Sequence, residues 1–376
     1  MSATEFATLD LFCELAAIPS PSGRERAVAD RVLEMLRGLG LEPDEDDAGP
    51  RIGSEIGNIY CHVPPSEGAS GAPIFFNAHL DTVPPTAAVD PVVADGIVTN
   101  ANDTILGADN KAAVASMLIA VRDLVNSGAA HSGVELVITP MEEVGLLGAK
   151  AFDASRLRAR FGYCYDHAAP IGNIVVVAPS QQTFKLEFRG RPAHSGIATE
   201  DGRSAILAAS RAIAAMPLGR IDEQTTANVG IIEGGVARNI VPPNCTAWAE
   251  ARSRDEASLT RLSQQIVDVS TAAAQETGCE VEIGISGEYR GYRHSPRSAP
   301  VVLAREALEK AGFEVVLMES GGGADAHVFN AAGVPCVNLC NGMAEIHTAD
   351  EWISVADLEA MTTVTRHLID LAHMAE

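Results

Sequence analysis

A histidine and an aspartate stand together at the end of an apolar stretch, residues 74–83, which reads Ile-Phe-Phe-Asn-Ala-His-Leu-Asp-Thr-Val. The stretch is too short for a helix and lies between Pro73 and Pro84, so it predicts a buried strand that ends with His79 and Asp81. A carboxylate beside an imidazole fixes the tautomer of the ring and leaves the other nitrogen for a metal ion. The pair is therefore a candidate metal ligand with its orienting partner. Ordinary hydrogen bonds at a strand end are the alternative.

The same pattern recurs along the chain, because further acidic and imidazole side chains follow predicted strands or open a helix. They are Asp109, Glu142, Glu143, Asp166 and His347. Asp109 has an alternative role as a helix N-cap, and the two adjacent glutamates could form a solvated turn. Open α/β sheets nevertheless place their sites at the carboxyl ends of strands. Two histidines with several carboxylates suit a pair of zinc-like ions that share one carboxylate, and one acidic residue is then left to transfer a proton.

The elements that must position these side chains predict an α/β domain. Strands are predicted at residues 59–63, 74–77, 134–139, 161–165, 314–318 and 334–339, with helices near residues 4–17, 109–125 and 324–332. A further helix is predicted after Ser22, with Ser22 and Glu25 as a capping box, and Ser354 with Asp357 should cap the last helix.

The middle of the chain has a different pattern. Residues 183–189 alternate strictly between polar and apolar side chains, which is typical of an antiparallel sheet with one wet face. The elements that follow complete the order β-α-β-β-α-β of a ferredoxin-like module. We therefore predict a catalytic domain formed by residues 1–180 and 294–376 and an inserted α+β domain formed by residues 181–293.

Composition excludes several classes of protein. The chain has 376 residues and a formal net charge of -23, which argues against a nucleic-acid partner. Its seven cysteines are scattered without a Cys-x-x-Cys pair, so they predict free thiols in a reducing compartment. No apolar run is long enough to span a membrane, and the acidic start shows no secretory signal. A cytoplasmic protein without membrane contact is the expectation.

Several motifs, in order along nearly the whole chain, resemble one known family. They are His79-Leu80-Asp81-Thr82-Val83, Gly107-Ala108-Asp109-Asn110-Lys111-Ala112, Glu142-Glu143-Val144-Gly145, Asp166, Arg191-Pro192-Ala193-His194, Gly321-Gly322-Gly323-Ala324-Asp325-Ala326 and Ile346-His347. The family is that of the dinuclear zinc peptidases and amidohydrolases, which includes peptidase T, carboxypeptidase G and succinyl-diaminopimelate desuccinylase. The glycine-rich segment and the last histidine look most similar to the peptidase T-like branch.

The resemblance implies a catalytic domain with a mixed central sheet flanked by helices, and an inserted lid and dimerisation domain. It also implies a division of roles. One metal ion would be held by His79, Asp109 and Asp166, and the other by Asp109, Glu143 and His347. Asp81 would orient His79, and Glu142 would be the general base. Zinc is the expected metal, with cobalt and manganese as alternatives.

Four further residues are substrate contacts by the same resemblance. His194 would reach the oxyanion of the substrate, from the partner subunit in dimeric members, and Arg252 would bind a substrate carboxylate, with Arg254 as a rival. Asn239 and Gly323 complete the set. A surface histidine and a structural turn are the plain alternatives for His194 and Asn239.

Three residues depart from the family pattern. Asn110 stands where many members have Asp or Met, and Ala324 and His327 replace an expected Ser and Asn. If Ala324 and His327 line the pocket, they bear on substrate choice.

The expected activity is hydrolysis of amide bonds in small peptides, as in a tripeptide aminopeptidase. Removal of acyl groups or of C-terminal residues is the alternative within the family. Two alternatives lie outside this activity. Gly321-x-Gly323-x-x-Ala326 matches a dinucleotide fingerprint and would suit a nicotinamide-dependent oxidoreductase, and a non-catalytic binding protein could keep the fold.

Overall fold

The computed structural model describes residues 7–375, and the chain divides into two compact units. The first unit comprises the described residues up to Val176, then Arg293–Glu319, and then the residues from Ala324 onward. The second unit comprises Val177–Tyr292 and Ser320–Gly323.

Ten α-helices and seventeen strands lie in the described residues. The helices are α1 Ala7–Ala16, α2 Arg26–Gly38, α3 Gly49–Ile52, α4 Ala108–Ser127, α5 Leu147–Ala151, α6 Ala205–Ala215, α7 Glu256–Thr277, α8 Ala299–Lys310, α9 Ala326–Ala331 and α10 Val355–Met374. The strands are β1 Asp44–Glu45, β2 Ile59–Val63, β3 Ile74–His79, β4 Pro91–Ala94, β5 Ile97–Asn100, β6 Val134–Thr139, β7 Phe161–Cys164, β8 Asn173–Ala178, β9 Ser180–Arg189, β10 Gly219–Arg220, β11 Thr225–Gly234, β12 Asn244–Ser253, β13 Glu280–Tyr289, β14 Tyr292–Arg293, β15 Val316–Glu319, β16 Cys336–Leu339 and β17 Ile353–Ser354.

The largest sheet among the described residues is a nine-stranded mixed sheet, in the order β1-β2-β6-β3-β7-β16-β8-β14, with β15 beside β8. Its four middle strands, β6, β3, β7 and β16, run parallel to one another. Every residue of these four strands is buried. Burial of every residue is typical of a parallel sheet that is covered on both faces. Because these four neighbouring strands are parallel, their carboxyl ends lie at the same edge of the sheet.

Helix α4 packs against this sheet through small side chains. Its buried positions include a run of alanines, and it contacts β3, α1 and α10. Small side chains let a helix lie close to its neighbours, since little volume separates the two backbones. The start of α4 is therefore held near the carboxyl end of β3.

The second unit has a five-stranded antiparallel sheet in the order β10-β11-β12-β9-β13. Helices α6 and α7 pack on one another and contribute to its apolar core, together with Phe184, Leu186 and Phe188 from alternate positions of β9. The predicted order β-α-β-β-α-β is observed, as β9, α6, β11, β12, α7 and β13.

The predicted α/β fold class is confirmed, and the main strands lie where the apolar runs indicate. The first predicted helix is observed as Ala7–Ala16, and residues 4–6 lie outside the described part of the chain. A three-stranded sheet, β17-β5-β4, was not predicted. Its strands are short and mostly not buried, so they carry little apolar signal. Within residues 7–375, no helix has the length and apolar character needed to cross a membrane.

The capping box predicted for Ser22 and Glu25 is wrong. Helix α2 begins at Arg26, and no side chain caps its first amides. The Ser22 hydroxyl instead donates to Asp81 Oδ2 at 2.7 Å, and the buried Glu25 accepts from the Gly23 amide at 2.7 Å. The physical reason is that a buried carboxylate such as Asp81 needs donors more than an exposed helix end does. The predicted cap of α10 by Ser354 is confirmed.

Candidate metal centre

The carboxyl ends of the four parallel strands carry most of the candidate ligands. His79 is the last residue of β3, and Asp166 follows β7. Glu142 and Glu143 follow β6 after a sharp turn, in which Met141 has a φ of 59° and Gly145 a φ of 108°. His347 lies in the loop after β16, and Asp109 is the second residue of α4. Residues that are far apart in the sequence therefore share one edge of the sheet.

The imidazole of His79 is fixed by contacts on both of its nitrogens. Nδ1 lies 2.9 Å from the backbone carbonyl of Asp81 and 3.5 Å from its Oδ1. Nε2 lies 3.2 Å from Asp109 Oδ1 and 3.8 Å from Asp166 Oδ1. Because a carbonyl only accepts, Nδ1 carries a proton, and Nε2 faces the two carboxylates.

Asp109 lies between the two histidines. Its Oδ2 is 3.2 Å from His347 Nε2, and that nitrogen is also 3.0 Å from Glu143 Oε1. The N-cap residue of α4 is Gly107, which has no side chain to cap the helix, and Asp109 has non-helical φ and ψ angles of -83° and 102°. The alternative role of Asp109 as a plain N-cap therefore does not hold, since its carboxylate is directed at His79 and His347.

Ligand atoms gather in three groups, each within 4.8 Å: His79 with Asp109 and Asp166, Asp109 with Glu143 and His347, and His79 with Glu142 and Glu143. The first two groups share Asp109, as a bridging carboxylate requires. Imidazole nitrogen and carboxylate oxygen are ordinary ligands of zinc and similar divalent ions. The chemistry of the donor set thus fits two such ions.

The electrostatics of the cluster also fit cations. Burial raises the pKa of Asp166 to about 7, and burial together with the nearby Asp166 raises the pKa of Glu142 well above its ordinary value. Burial opposes ionisation of Asp109 as well, but hydrogen bonds from His347 and His79 hold the pKa of Asp109 well below its usual range. Hydrogen bonds to Asp109 and Glu143 raise the pKa of His347 to about 10. This many acidic groups lie together at low cost only when positive charge lies among them.

Asp81 organises the centre through more than His79. Its Oδ1 accepts from the Glu142 amide at 2.9 Å, and its Oδ2 accepts from the Glu143 amide at 3.2 Å and from the Ser22 hydroxyl at 2.7 Å. Asp81 is fully buried. One carboxylate thus sets the backbone that carries both glutamates, and it also lies beside the ring of His79.

We expect Ser22→Ala to lower the affinity for divalent metal by up to about 10-fold. Loss of a direct hydrogen-bond partner of a metal ligand typically costs about 10- to 100-fold, and Ser22 acts one step further away, through Asp81. The change removes one donor from Asp81, so the backbone of Glu143 and the ring of His79 are held less firmly. Titration of the metal-free protein with zinc, against a chromophoric chelator, measures the effect.

Ser155→Ala is the matched control, because the Ser155 hydroxyl also donates to an aspartate, Asp153 Oδ1 at 2.7 Å, but at the exposed surface. It should bind metal as the wild type does. Equal zinc affinity of Ser22→Ala and the wild type would show that Asp81 does not depend on Ser22.

The predicted substrate contacts lie in the second unit. His194 and Ile240 form an isolated bridge, and the Ser195 amide donates to the Asn239 carbonyl at 3.1 Å, so His194 and Asn239 lie on two paired segments. Both side chains are exposed.

The Arg252 guanidinium is engaged with Glu250, at 3.1 Å from Nε to Oε1 and 3.0 Å from Nη2 to Oε2. Its rival Arg254 donates to the Glu223 carbonyl at 2.7 Å. Gly323 lies against Tyr289, where an added Cβ would come within 2.6 Å of the ring. Glycine is therefore required there by space alone.

All three departures from the family pattern are buried. Ala324 and His327 are each 1% exposed, and His327 Nδ1 lies 3.0 Å from the Ala324 carbonyl. Asn110 is fully buried as well. These side chains shape the interior rather than an open surface.

Sequence reasoning missed several residues that hold the ligands in place. Asn338 accepts from the Asp166 amide at 2.9 Å and donates to the Asp166 carbonyl at 2.8 Å. In the sequence, Asn338 is a polar residue inside an apolar strand, and that pattern could have identified it. Glu351 accepts hydrogen bonds from backbone amides around the start of α4. It could not be identified from the sequence, because it lies in a polar loop.

The fold and the cluster of ligands agree with the protein family that the sequence matches. The model of Peptidase family M20/M25/M40 matches residues 75–371, and the chain belongs to that family. The matched region contains every candidate metal ligand. It also includes the Gly321-x-Gly323 segment, so membership in a peptidase family accounts for this segment in place of the alternative of a nicotinamide-dependent oxidoreductase.

Similar individual proteins indicate to which branch of the family the chain belongs. The chain is 39% identical over 350 residues to the protein YqjE of Bacillus subtilis, covering 93% of this chain and 94% of YqjE. Among solved structures it is similar to the aminopeptidase PepT of Bacillus cereus, with 38% identity, a TM-score of 0.87 and coverage of 97% and 98% of the two chains. It is also similar to a tripeptidase of Staphylococcus aureus, with 34% identity, a TM-score of 0.92 and 98% coverage of both chains. The predicted family and its peptidase T-like branch are confirmed.

Proposed function

We propose that this protein is a dinuclear metallopeptidase that hydrolyses short peptides and releases the N-terminal residue of tripeptides. The observation that carries the proposal is the position of Asp109, whose two carboxylate oxygens each lie 3.2 Å from a different histidine, His79 and His347. The similarity to an aminopeptidase and to a tripeptidase supports the choice of substrate.

In this proposal His79, Asp109 and Asp166 would hold one ion, and Asp109, Glu143 and His347 would hold the other. Two divalent ions, with zinc expected and cobalt or manganese as alternatives, would polarise the scissile carbonyl and lower the pKa of a water molecule.

Glu142 is the proposed general base. Its Oε2 lies 4.0 Å from His79 Nε2, beside the ligands, whereas Glu143 Oε1 lies 3.0 Å from His347 Nε2. Glu142 accepts a proton from water as the C–O bond forms, and it passes that proton to the amine nitrogen as the C–N bond breaks. Asp81 keeps Glu142 in place through the Glu142 amide.

The second unit is the proposed lid, and its exposed polar residues are the proposed substrate contacts. His194 would donate to the developing oxyanion, and Asn239, on the paired segment, would contact the peptide. Gly323 is the fourth proposed contact, through its backbone, because the Tyr289 ring takes the space that a Cβ would fill. Arg252 would bind a substrate carboxylate, which must then share the guanidinium with Glu250.

The second unit also offers a surface for a homodimer. Strand β10 pairs with β11 only at Thr226 and Ala227, so among the described residues the rest of the outer edge of β11 has no strand beside it. Ile231 and Ile232 on that edge are 54% and 49% exposed. An unpaired apolar edge is a template for a second strand. We therefore propose that two copies pair through β11.

A panel of matched substrates tests the proposed activity on the metal-reconstituted protein. It contains one tripeptide with a free amine, the same tripeptide acetylated, the same tripeptide with a C-terminal amide, and N-acylated amino acids. We expect cleavage of the free tripeptide at its first bond, loss of cleavage on acetylation, and weaker cleavage of the amide because Arg252 loses its carboxylate partner.

Other results of the panel point to other functions. Cleavage of N-acylated amino acids without cleavage of free-amine peptides would make the protein a deacylase, and release of the last residue would make it a carboxypeptidase. Bound metal without turnover of any amide would indicate a non-catalytic binding protein.

A further inference from the structure

Glu351 is a buried carboxylate that the proposed chemistry does not use. It is 2% exposed and accepts three backbone hydrogen bonds. Its Oε2 accepts from the amides of Leu106 at 2.7 Å and Gly107 at 2.8 Å, and its Oε1 accepts from the Asp109 amide at 3.0 Å. All three donors precede the regular part of α4.

These amides need an acceptor from outside their own segment. Gly107 has a φ of 80°, and Asp109 and Asn110 have non-helical angles, so the segment cannot satisfy its amides by helical bonds. Leu106 is fully buried and Asp109 is 6% exposed, which shields both amides from water. Buried backbone donors are almost always paired, and bonds to a carboxylate are among the stronger ones. Glu351 thus determines the backbone from which the Asp109 side chain extends.

Glu351 belongs to the loop that carries His347. Ala344 and Trp352 close this loop with two backbone bonds of 3.0 and 3.1 Å, and the Glu351 amide donates to the Thr348 carbonyl at 3.3 Å. His347 itself has a φ of 63°, an unfavourable conformation that surrounding contacts must maintain. Glu351 therefore fastens the His347 loop to the Asp109 segment.

We infer that Glu351 is a positioning residue that sets the geometry between Asp109 and His347 by binding the backbone of one from the loop of the other. The inference rests on the proposed metal centre and adds a residue to it. Asp109 belongs to both ligand groups and His347 to one. The ion held by Asp109, Glu143 and His347 should therefore depend on Glu351 more than the other ion does.

Glu351→Gln tests the inference, because glutamine has the same shape but replaces one acceptor oxygen by an NH₂ group. If its carbonyl faces Leu106 and Gly107, the NH₂ group faces the Asp109 amide, donor against donor. We expect one of the two zinc dissociation constants to rise by about 10- to 100-fold and the other to change less. A competition titration of the metal-free variant measures it.

Glu135→Gln is the matched control. Glu135 is also fully buried and accepts backbone bonds, from the amides of Arg158 at 3.0 Å and Ala159 at 2.7 Å, but it lies near the opposite end of β6 from the ligands. Both variants should lower the melting temperature, and only Glu351→Gln should weaken zinc binding. A general loss of stability would change both affinities alike.

The possible outcomes separate this inference from the proposed function. Wild-type zinc affinity in Glu351→Gln, or equal weakening in Glu135→Gln, would overturn the role of Glu351 and leave the metal centre intact. A wild-type protein that does not bind two ions would overturn the proposed function itself. If Glu351→Gln does not fold, Glu351→Asp serves in its place: it keeps the charge on a shorter side chain and should show a smaller rise in the same constant.

Discussion

Glu142→Gln should lower kcat by about 10²- to 10⁴-fold, the usual contribution of a general acid–base group, while the protein keeps both metal ions. The reason lies in the position of Glu142, which is beside the ligands but 4.0 Å from His79 Nε2. Glutamine keeps the shape of the side chain and cannot accept the proton of water. Steady-state kinetics on tripeptide, with the zinc content measured on the same sample, give both quantities.

Glu143→Gln is the comparison that distinguishes the two adjacent glutamates. Glu143 lies 3.0 Å from His347, so its change should weaken the binding of metal as well as turnover. If Glu142→Gln loses metal and Glu143→Gln keeps it, the roles of the two residues are reversed.

Asp109→Ala should reduce the binding of both ions at once. Asp109 belongs to the group with His79 and Asp166 and to the group with Glu143 and His347. The loss of affinity should exceed the roughly 10- to 100-fold effect expected for an outer partner, because a ligand itself is removed. Metal analysis after dialysis should find neither site filled, and activity should fall accordingly.

Asp166→Asn is the control for the bridging role, since Asp166 belongs to only one ligand group. This change should weaken the binding of one ion and leave the binding of the other ion at wild-type affinity. If Asp109→Ala also lost a single ion, Asp109 would be an ordinary ligand and no bridge would exist.

Much of the fold was predictable because the central strands are buried on both faces. Strands β3, β6 and β7 are buried, mostly apolar runs that end in or are followed by polar residues, so both the strand and its end can be located in the sequence. The order in which these strands pair was not predictable. Nothing in the local sequence of β16 shows that it lies beside β7.

The ligands of the candidate site could be predicted from the sequence, but the residues that hold those ligands in place could not. His79, Asp109 and Glu143 follow signals that a strand end or a helix start provides. The sequence predicts a helix cap at Ser22, because serine near a helix start is usually a cap, but its actual partner, Asp81, is distant in the sequence. Glu351 is likewise recognised only through its distant partners, the amides of residues 106, 107 and 109.

In the proposed function, Asp109 would join two metal ions in one hydrolytic centre. The most direct measurement is tripeptide hydrolysis by exhaustively chelated protein as zinc is returned in small steps. Chelation should abolish activity, and hydrolysis should return fully only when two equivalents of zinc are bound. Full activity after chelation, or full recovery with a single equivalent, would contradict it.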